Sequence, residues 1–147
     1  MIIWSTGITE NYVPVAEPFF ASIRKFGSAF DRRVVVTVGF DAGPKLLADN
    51  MGVIEFVRLP NAPCGDLIAC KNERWIIQHG EFLRAIDCAD DDVIMFTDSD
   101  MTLQREPSKE EMNAFRGLSS GFDVGVGPCG AVGLGDQVVE GGLLLLP

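Results

Sequence analysis

Residues 91 to 102, DDVIMFTDSDMT, place two aspartates directly after an apolar run. The run VIMFT, residues 93 to 97, is typical of a buried strand. Asp98 and Asp100 follow it one residue apart, and in an extended segment such residues point to the same side. The two carboxylates can therefore converge on one point. They could hold a metal, attack a phosphate, or simply end the strand.

Two carboxylates about 4 Å apart repel each other by roughly 1 to 4 kcal/mol, depending on the effective dielectric. Unless one of them takes up a proton, a cation is the natural remedy. Hard oxygen ligands favour Mg²⁺ or Mn²⁺, whose open positions are commonly filled by substrate phosphates. This argument predicts a metal-bridged diphosphate. The alternative is that Asp-Ser-Asp is ordinary turn chemistry after a strand.

The composition indicates one globular, cytoplasmic domain. The chain has 147 residues, 47% of them hydrophobic, and a net charge of −9. That charge argues against binding a nucleic acid backbone, which needs basic patches. We see no transmembrane segment and no signal peptide. The cysteines match no zinc spacing and are expected to be reduced thiols in core or loop positions; they are Cys64, Cys70, Cys88 and Cys129.

Strand and helix patterns alternate along the chain, which predicts an α/β domain with a mostly parallel sheet. In such sheets ligands bind at the carboxyl ends of the strands. That rule places Thr6-Gly7, Gly39-Phe40 and Asp98-Asp100 at one edge. The predicted strands cover residues 1 to 6, 32 to 40, 53 to 59, 93 to 97 and 122 to 127. The predicted helices cover residues 14 to 26, 42 to 52, 67 to 88 and 107 to 118.

Two helices carry further expectations. In the first, the apolar stripe is Val15, Phe19, Ile23 and Phe26, and Thr9 is a candidate to cap its start. In the long helix from 67 to 88, His79 shares a stripe with Trp75 and Phe82, which favours a core histidine over a metal ligand.

The end of the chain has an unusual composition. Nine of the 16 glycines fall between Gly117 and Gly142, and the last residues read GGLLLLP. An apolar segment of this kind needs a surface to pack against. We expect a domain at 1–126 and a glycine-rich, apolar tail at 127–147. The tail is either a truncated continuation of the fold or a segment that docks a partner subunit or a second copy of the chain.

Three stretches together resemble the GT-A glycosyltransferases, the nucleotide-diphospho-sugar transferase superfamily. IIWSTGITENYVPVAEPFFASIRKF is similar to the family's first strand and helix, and RRVVVTVGFD to its second strand. WIIQHGEFLRAI, followed by DDVIMFTDSDM, is similar to the helix and strand that lead into its D-x-D motif. The resemblance covers roughly residues 1 to 126. It implies a Rossmann-like GT-A fold and metal-dependent transfer of a sugar from a nucleotide diphosphate sugar to an acceptor hydroxyl.

The resemblance also implies roles for individual residues. Asp100 would bind Mn²⁺ or Mg²⁺ on the diphosphate, and Asp98 would hold the ribose or the metal. Nucleobase contacts would come from Thr6, Gly7 and Ile8, with Tyr12 either stacked on the base or in the core. Lys71 and Arg74 would offset diphosphate charge or lie on a solvated helix face, and Gln78 would bond the ribose or sugar. Arg105 is a further candidate for the phosphates.

Two other functions fit the same residues. The acceptor site and catalytic base of the family lie in a second half that this sequence does not show, so the chain could be a non-catalytic nucleotide-sugar-binding or interaction domain. Alternatively, Asp98-Ser99-Asp100-Met101-Thr102 fits the D-x-D-x-T motif of haloacid-dehalogenase-type phosphatases. There Asp98 would be the nucleophile and Asp100 the general acid and base. That motif usually lies on a first strand, whereas 97 residues precede it here.

Overall fold

The computed structural model describes residues 1–60, 84–89, 92–119, 125–126 and 144–146, which form one six-stranded sheet with flanking helices. The strands are β1 (Ile2–Thr9), β2 (Arg32–Val38), β3 (Glu55–Leu59), β4 (Val93–Phe96), β5 (Gly125–Val126) and β6 (Leu144–Leu146). The helices are α1 (Val13–Phe26), α2 (Pro44–Asp49) and α3 (Lys109–Ser119), with 3-10 turns at Glu10–Tyr12 and Gly27–Ala29.

The first four strands are parallel, which confirms the predicted α/β class. The strand order is β3-β2-β1-β4-β6-β5. The chain therefore builds outward from β1 through β2 to β3, then returns to the other side of β1 to form β4. In open α/β sheets a ligand crevice lies where the strand order reverses in this way, outside the carboxyl ends of the strands. Here that position is between β1 and β4.

Strand β1 lies in the centre of the sheet and is buried on both faces. One face packs Trp4 against Phe19 and Phe20 of α1, and the other carries Ile3 beside Val34 of β2. The strand ends at Thr9, three residues later than predicted. The predicted strand ends before Gly7, but Ile8 beyond this glycine is 2% exposed, and burial of the Ile8 side chain keeps the segment in the sheet.

The first helix begins at Val13, directly after the 3-10 turn. The prediction that Thr9 caps it is wrong, because that turn separates them and the Thr9 hydroxyl donates to Asn11 Oδ1 at 2.7 Å. The predicted stripe is wrong at Val15, which is 51% exposed. The buried positions are Ala16, Phe19, Phe20, Ser22 and Ile23.

The apolar end of the chain has a place in the sheet. Strand β6 pairs antiparallel with β4 on one side and with β5 on the other. The leucines at 144–146 therefore lie inside the sheet, between β4 and β5. The division into 1–126 and 127–147 stays a prediction, but residues 144–146 join the same sheet as the first part.

The remaining elements agree with the sequence patterns within a few residues. Helix α3 starts with a capping box: Ser108 Oγ accepts from Glu111 N at 3.2 Å, and Glu111 Oε2 accepts from Ser108 N at 2.8 Å. Of the predicted helix at 67 to 88, only 84–86 is described as helical, and Ile86 is buried. Cys88 is a free, exposed thiol. Among the described residues, no helix has the length and apolarity needed to cross a membrane.

Candidate functional site

A pocket of about 310 Å³ opens at the carboxyl edge of the sheet, at the switch point between β1 and β4. We call it the switch-point pocket. From the predicted site it brings together all four residues of the β1 region and both aspartates. Its lining is Thr6, Gly7, Ile8, Thr9, Tyr12, Phe96, Asp98, Ser99 and Asp100. Of the other predicted contacts, Lys71, Arg74 and Gln78 lie outside the described residues, and so does His79, the predicted core histidine.

The two aspartates lie on a turn. Asp98 O accepts a hydrogen bond from Met101 N at 3.2 Å, which closes the segment 98–101 after β4 has ended at Phe96. The expectation of an extended segment is therefore wrong. Asp is favoured at the first position of such turns, so the turn interpretation is correct for the backbone. It does not remove the site, because both carboxylates still line the same pocket.

The carboxylates of Asp98 and Asp100 have no hydrogen bond and no ion pair with any other described residue. Partial burial, and then the negative charge of Asp100, raise the pKa of Asp98 above its ordinary value. Burial acts although Asp98 as a whole residue remains exposed. Both effects disfavour the charged form of Asp98. A cation bound in the pocket would stabilise that charged form.

This pair of carboxylates fits one kind of metal site and not another. Within the ranges that the structure describes, no group of three or more His, Cys, Asp or Glu side chains is placed to hold a metal. A closed metal centre made only of protein ligands is thus not formed by these residues. Mg²⁺ is instead usually bound by one or two carboxylates, water and substrate phosphates. Asp98 and Asp100 fit a cation that is shared with a diphosphate.

Thr97 joins the aspartate turn to β1, a connection that the sequence patterns did not reveal. Its amide donates to Ser5 O at 3.0 Å, and its hydroxyl accepts from Trp4 Nε1 at 3.1 Å. Thr6 Oγ1 donates to Thr97 O at 2.7 Å. Thr6 therefore lines the pocket as predicted, but its hydroxyl already has a partner.

Two further predicted residues have clear positions. Tyr12 is 38% exposed on the 3-10 turn that borders the pocket, so of its two predicted roles the core position is wrong. Arg105 does not line the pocket. Its guanidinium bonds both carboxylate oxygens of Glu111, at 2.7 Å and 2.5 Å, at the start of α3. The expectation that Arg105 reaches the phosphates is not supported by this geometry.

A larger pocket of about 660 Å³ lies beside α3. Its lining carries charges of both signs, Glu106 with Lys109 and Arg116, and Arg116 Nη2 lies 3.6 Å from Asp31 Oδ2. The switch-point pocket is smaller, but its two charged side chains have the same sign. That concentration of charge makes it the better candidate for a functional site.

Comparison with known proteins does not assign the chain to a family. No protein-family model matches the chain, and no curated protein is significantly similar to it. The functional argument therefore depends on the site itself.

Proposed function

We propose that the chain binds a nucleotide diphosphate sugar through a divalent cation, as the donor-binding part of a metal-dependent GT-A glycosyltransferase. The observation that carries the proposal is the lining of the switch-point pocket. One pocket joins the end of β1, the aromatic ring of Tyr12 and two carboxylates that have no partner among the described residues. Its position at the strand-order reversal is where α/β sheets bind nucleotides.

Six of the nine residues that line the pocket have a role in this proposal. Asp98 and Asp100 hold Mn²⁺ or Mg²⁺, and this ion supplies charge neutralisation on the diphosphate that leaves the sugar. The backbone from Thr6 to Ile8 borders the nucleobase, and Tyr12 offers it a stacking face. The volume of about 310 Å³ is at the lower end of the range for small-molecule sites. It suits the nucleotide end of the donor.

The proposed reaction moves a sugar from the nucleotide diphosphate to an acceptor hydroxyl. No described residue is assigned as the catalytic base, so binding and transfer are separate claims. A binding domain without transferase activity would use the same pocket. Release of nucleoside diphosphate from a sugar nucleotide, measured on the purified chain, distinguishes the two.

The binding claim is tested by calorimetric titration with UDP and with GDP, each with and without Mn²⁺. We expect binding of one nucleotide that requires Mn²⁺ and is abolished by Asp100→Asn. The matched control is Asp41→Asn, which removes the same charge. Asp41 follows β2 at the same edge but does not line this pocket, and its partner is Arg58, 3.4 Å away. The control should retain the wild-type affinity.

Other outcomes would contradict the proposal. Binding that is independent of Mn²⁺, or that Asp41→Asn weakens as much as Asp100→Asn, would mean that the aspartate pair does not hold the diphosphate. Hydrolysis of a phosphomonoester that is lost in Asp98→Asn would favour the phosphatase.

A further inference from the structure

All three polar groups of Thr97 bond to three consecutive residues of β1. Its amide donates to Ser5 O at 3.0 Å, its hydroxyl accepts from Trp4 Nε1 at 3.1 Å, and its carbonyl accepts from Thr6 Oγ1 at 2.7 Å. The regular pairing of β1 with β4 ends one residue earlier, at Ser5 with Phe96. These bonds therefore extend the connection between the strands to the residue directly before Asp98.

The groups that make these bonds are themselves fixed. Trp4 is 1% exposed and Thr6 is fully buried, while Thr97 is 7% exposed. The Trp4 ring packs against Phe19 with ring centroids 4.5 Å apart. Hydrogen bonds in such a water-poor setting are stronger than in solvent, and a network of them makes a segment rigid. The aspartate turn thus starts from an anchored residue.

We propose that Thr6 and Trp4 are positioning residues: through Thr97 they fix the turn that carries Asp98 and Asp100. This inference rests on the proposed function in one respect: the turn affects ligand binding only if its carboxylates share a cation with a diphosphate. It assigns the Thr6 side chain to the protein's own turn, and leaves only the β1 backbone to contact a nucleobase. Residues that hold metal ligands in place typically contribute about 10- to 100-fold to metal affinity.

The test uses three variants of buried strand threonines. Thr6→Val removes the hydroxyl at nearly constant shape, and Thr6→Ser keeps it. Thr37→Val is the matched control, because Thr37 is 1% exposed on β2 and its hydroxyl donates across the sheet to Val57 O at 3.4 Å. Each variant is titrated with Mn²⁺ and UDP or GDP, whichever nucleotide the unmodified chain binds. The exchange rate of the Met101 amide is measured without ligand.

We expect Thr6→Val to weaken Mn²⁺-dependent nucleotide binding by about 10-fold or more. Its Met101 amide should exchange about 2- to 10-fold faster relative to the amides of β2, since one hydrogen bond at the base of the turn is lost. Thr6→Ser should restore both values, and Thr37→Val should leave both near wild type. A purely structural role would change overall stability in the same way for Thr6→Val and Thr37→Val.

Wild-type affinity and wild-type Met101 exchange in Thr6→Val would overturn the inference. If the unmodified chain binds neither nucleotide, the proposed function fails. The exchange of Met101 then decides the positioning claim alone, and an unchanged rate rejects it. Should Thr6→Val not fold, Trp4→Phe removes the indole donor to Thr97 while it keeps an aromatic ring against Phe19, and the same two readouts apply.

Discussion

Two aspartates flank the same strand, and their surroundings are opposite. Asp92 precedes β4, is 3% exposed, and accepts from the terminal ammonium of Met1 at 2.6 Å and from Ala89 N at 2.9 Å. Asp98 follows β4, lines the switch-point pocket, and has no side-chain partner among the described residues. The pKa of Asp92 is lowered, first by the ammonium, whereas burial raises the pKa of Asp98.

The difference separates a carboxylate that stabilises the fold from one that is available to a ligand. Asp92 is more stable as an anion in the folded chain than in water, so its negative charge stabilises the folded state. Asp98 is less stable as an anion in the folded chain than in water, so its negative charge destabilises the folded state. Residues that reduce stability in this way are commonly found at functional sites. The interpretation is therefore tested by measuring ligand affinity, and the free energy of unfolding as a function of pH, in variants of these residues.

The largest expected contrast is in ligand binding. Replacing both Asp98 and Asp100 with asparagine should weaken Mn²⁺-dependent nucleotide binding at least about 100-fold, because the loss of two charged ligands exceeds the effect of a supporting group. Asp92→Asn should leave the affinity within about threefold, since that residue is at the opposite end of β4. Calorimetry at a temperature where all variants are folded measures both. Equal losses would remove the distinction between the two aspartates.

Loss of the Asp92 charge should make the folded chain less stable. We expect Asp92→Asn to lower the free energy of unfolding by about 1 kcal/mol at pH 7, because a hydrogen-bonded charge is lost and its ammonium partner is partly exposed. The folded pKa lies below the ordinary value of 3.8. The contribution is therefore complete above that value and is lost as the pH falls through the lowered pKa. Urea unfolding from pH 7 to pH 3 should show the two curves converging.

Asp98 should behave in the opposite way. Asp98→Asn is expected to raise the free energy of unfolding at pH 7 by a few tenths of a kcal/mol, a small value because solvent screens the exposed carboxylate. The folded pKa lies above 3.8, so the penalty is complete at neutral pH and disappears as the pH falls through the raised pKa. A loss of stability in this variant at pH 7 would show that Asp98 has a stabilising partner and resembles Asp92.

A third acidic residue, Glu111, can be compared with Asp92 and Asp98. Its replacement should have the smallest effect on stability of the three. It is partly exposed, and its bond from Arg105, together with the amide of Ser108, lowers its pKa to about 2. Glu111→Gln should lower the thermal midpoint slightly at pH 7. The contribution should fade between the ordinary value of 4.5 and about 2, as for Asp92 and unlike Asp98. Identical midpoints across that range would show that the charge of Glu111 and its ion pair with Arg105 add nothing.

Local sequence patterns predicted most of the parallel sheet but not its side-chain connections. The β-branched run at β2 and the apolar run at β4 were sufficient to find those strands. The length of β1 was not predicted, because Gly7 resembles a stop and the burial of Ile8 depends on tertiary packing. The leucines of β6 were unexplained for the same reason: their neighbours, β4 and β5, are distant in sequence or weak in pattern.

The candidate site was predicted by the rule for strand ends, although its local geometry was not. That rule placed Asp98 and Asp100 beside the end of β1, which the switch-point pocket confirms. It could not decide between an extended segment and a turn, because the rule concerns only where the strands end and not the backbone that follows them. Nor could it find the bonds of Thr97, since hydrogen bonds between residues about ninety positions apart leave no periodic signal.

The central claim is that a divalent cation binds at the switch-point pocket and not beside α3. The most direct test is paramagnetic broadening of backbone amides by Mn²⁺ in the presence of UDP or GDP. We predict selective loss of signals from Thr6 to Thr9 and from Ser99 to Met101, while amides of Lys109 to Arg116 at the larger pocket remain sharp. Broadening centred on α3, or none at the aspartate turn, would contradict the claim.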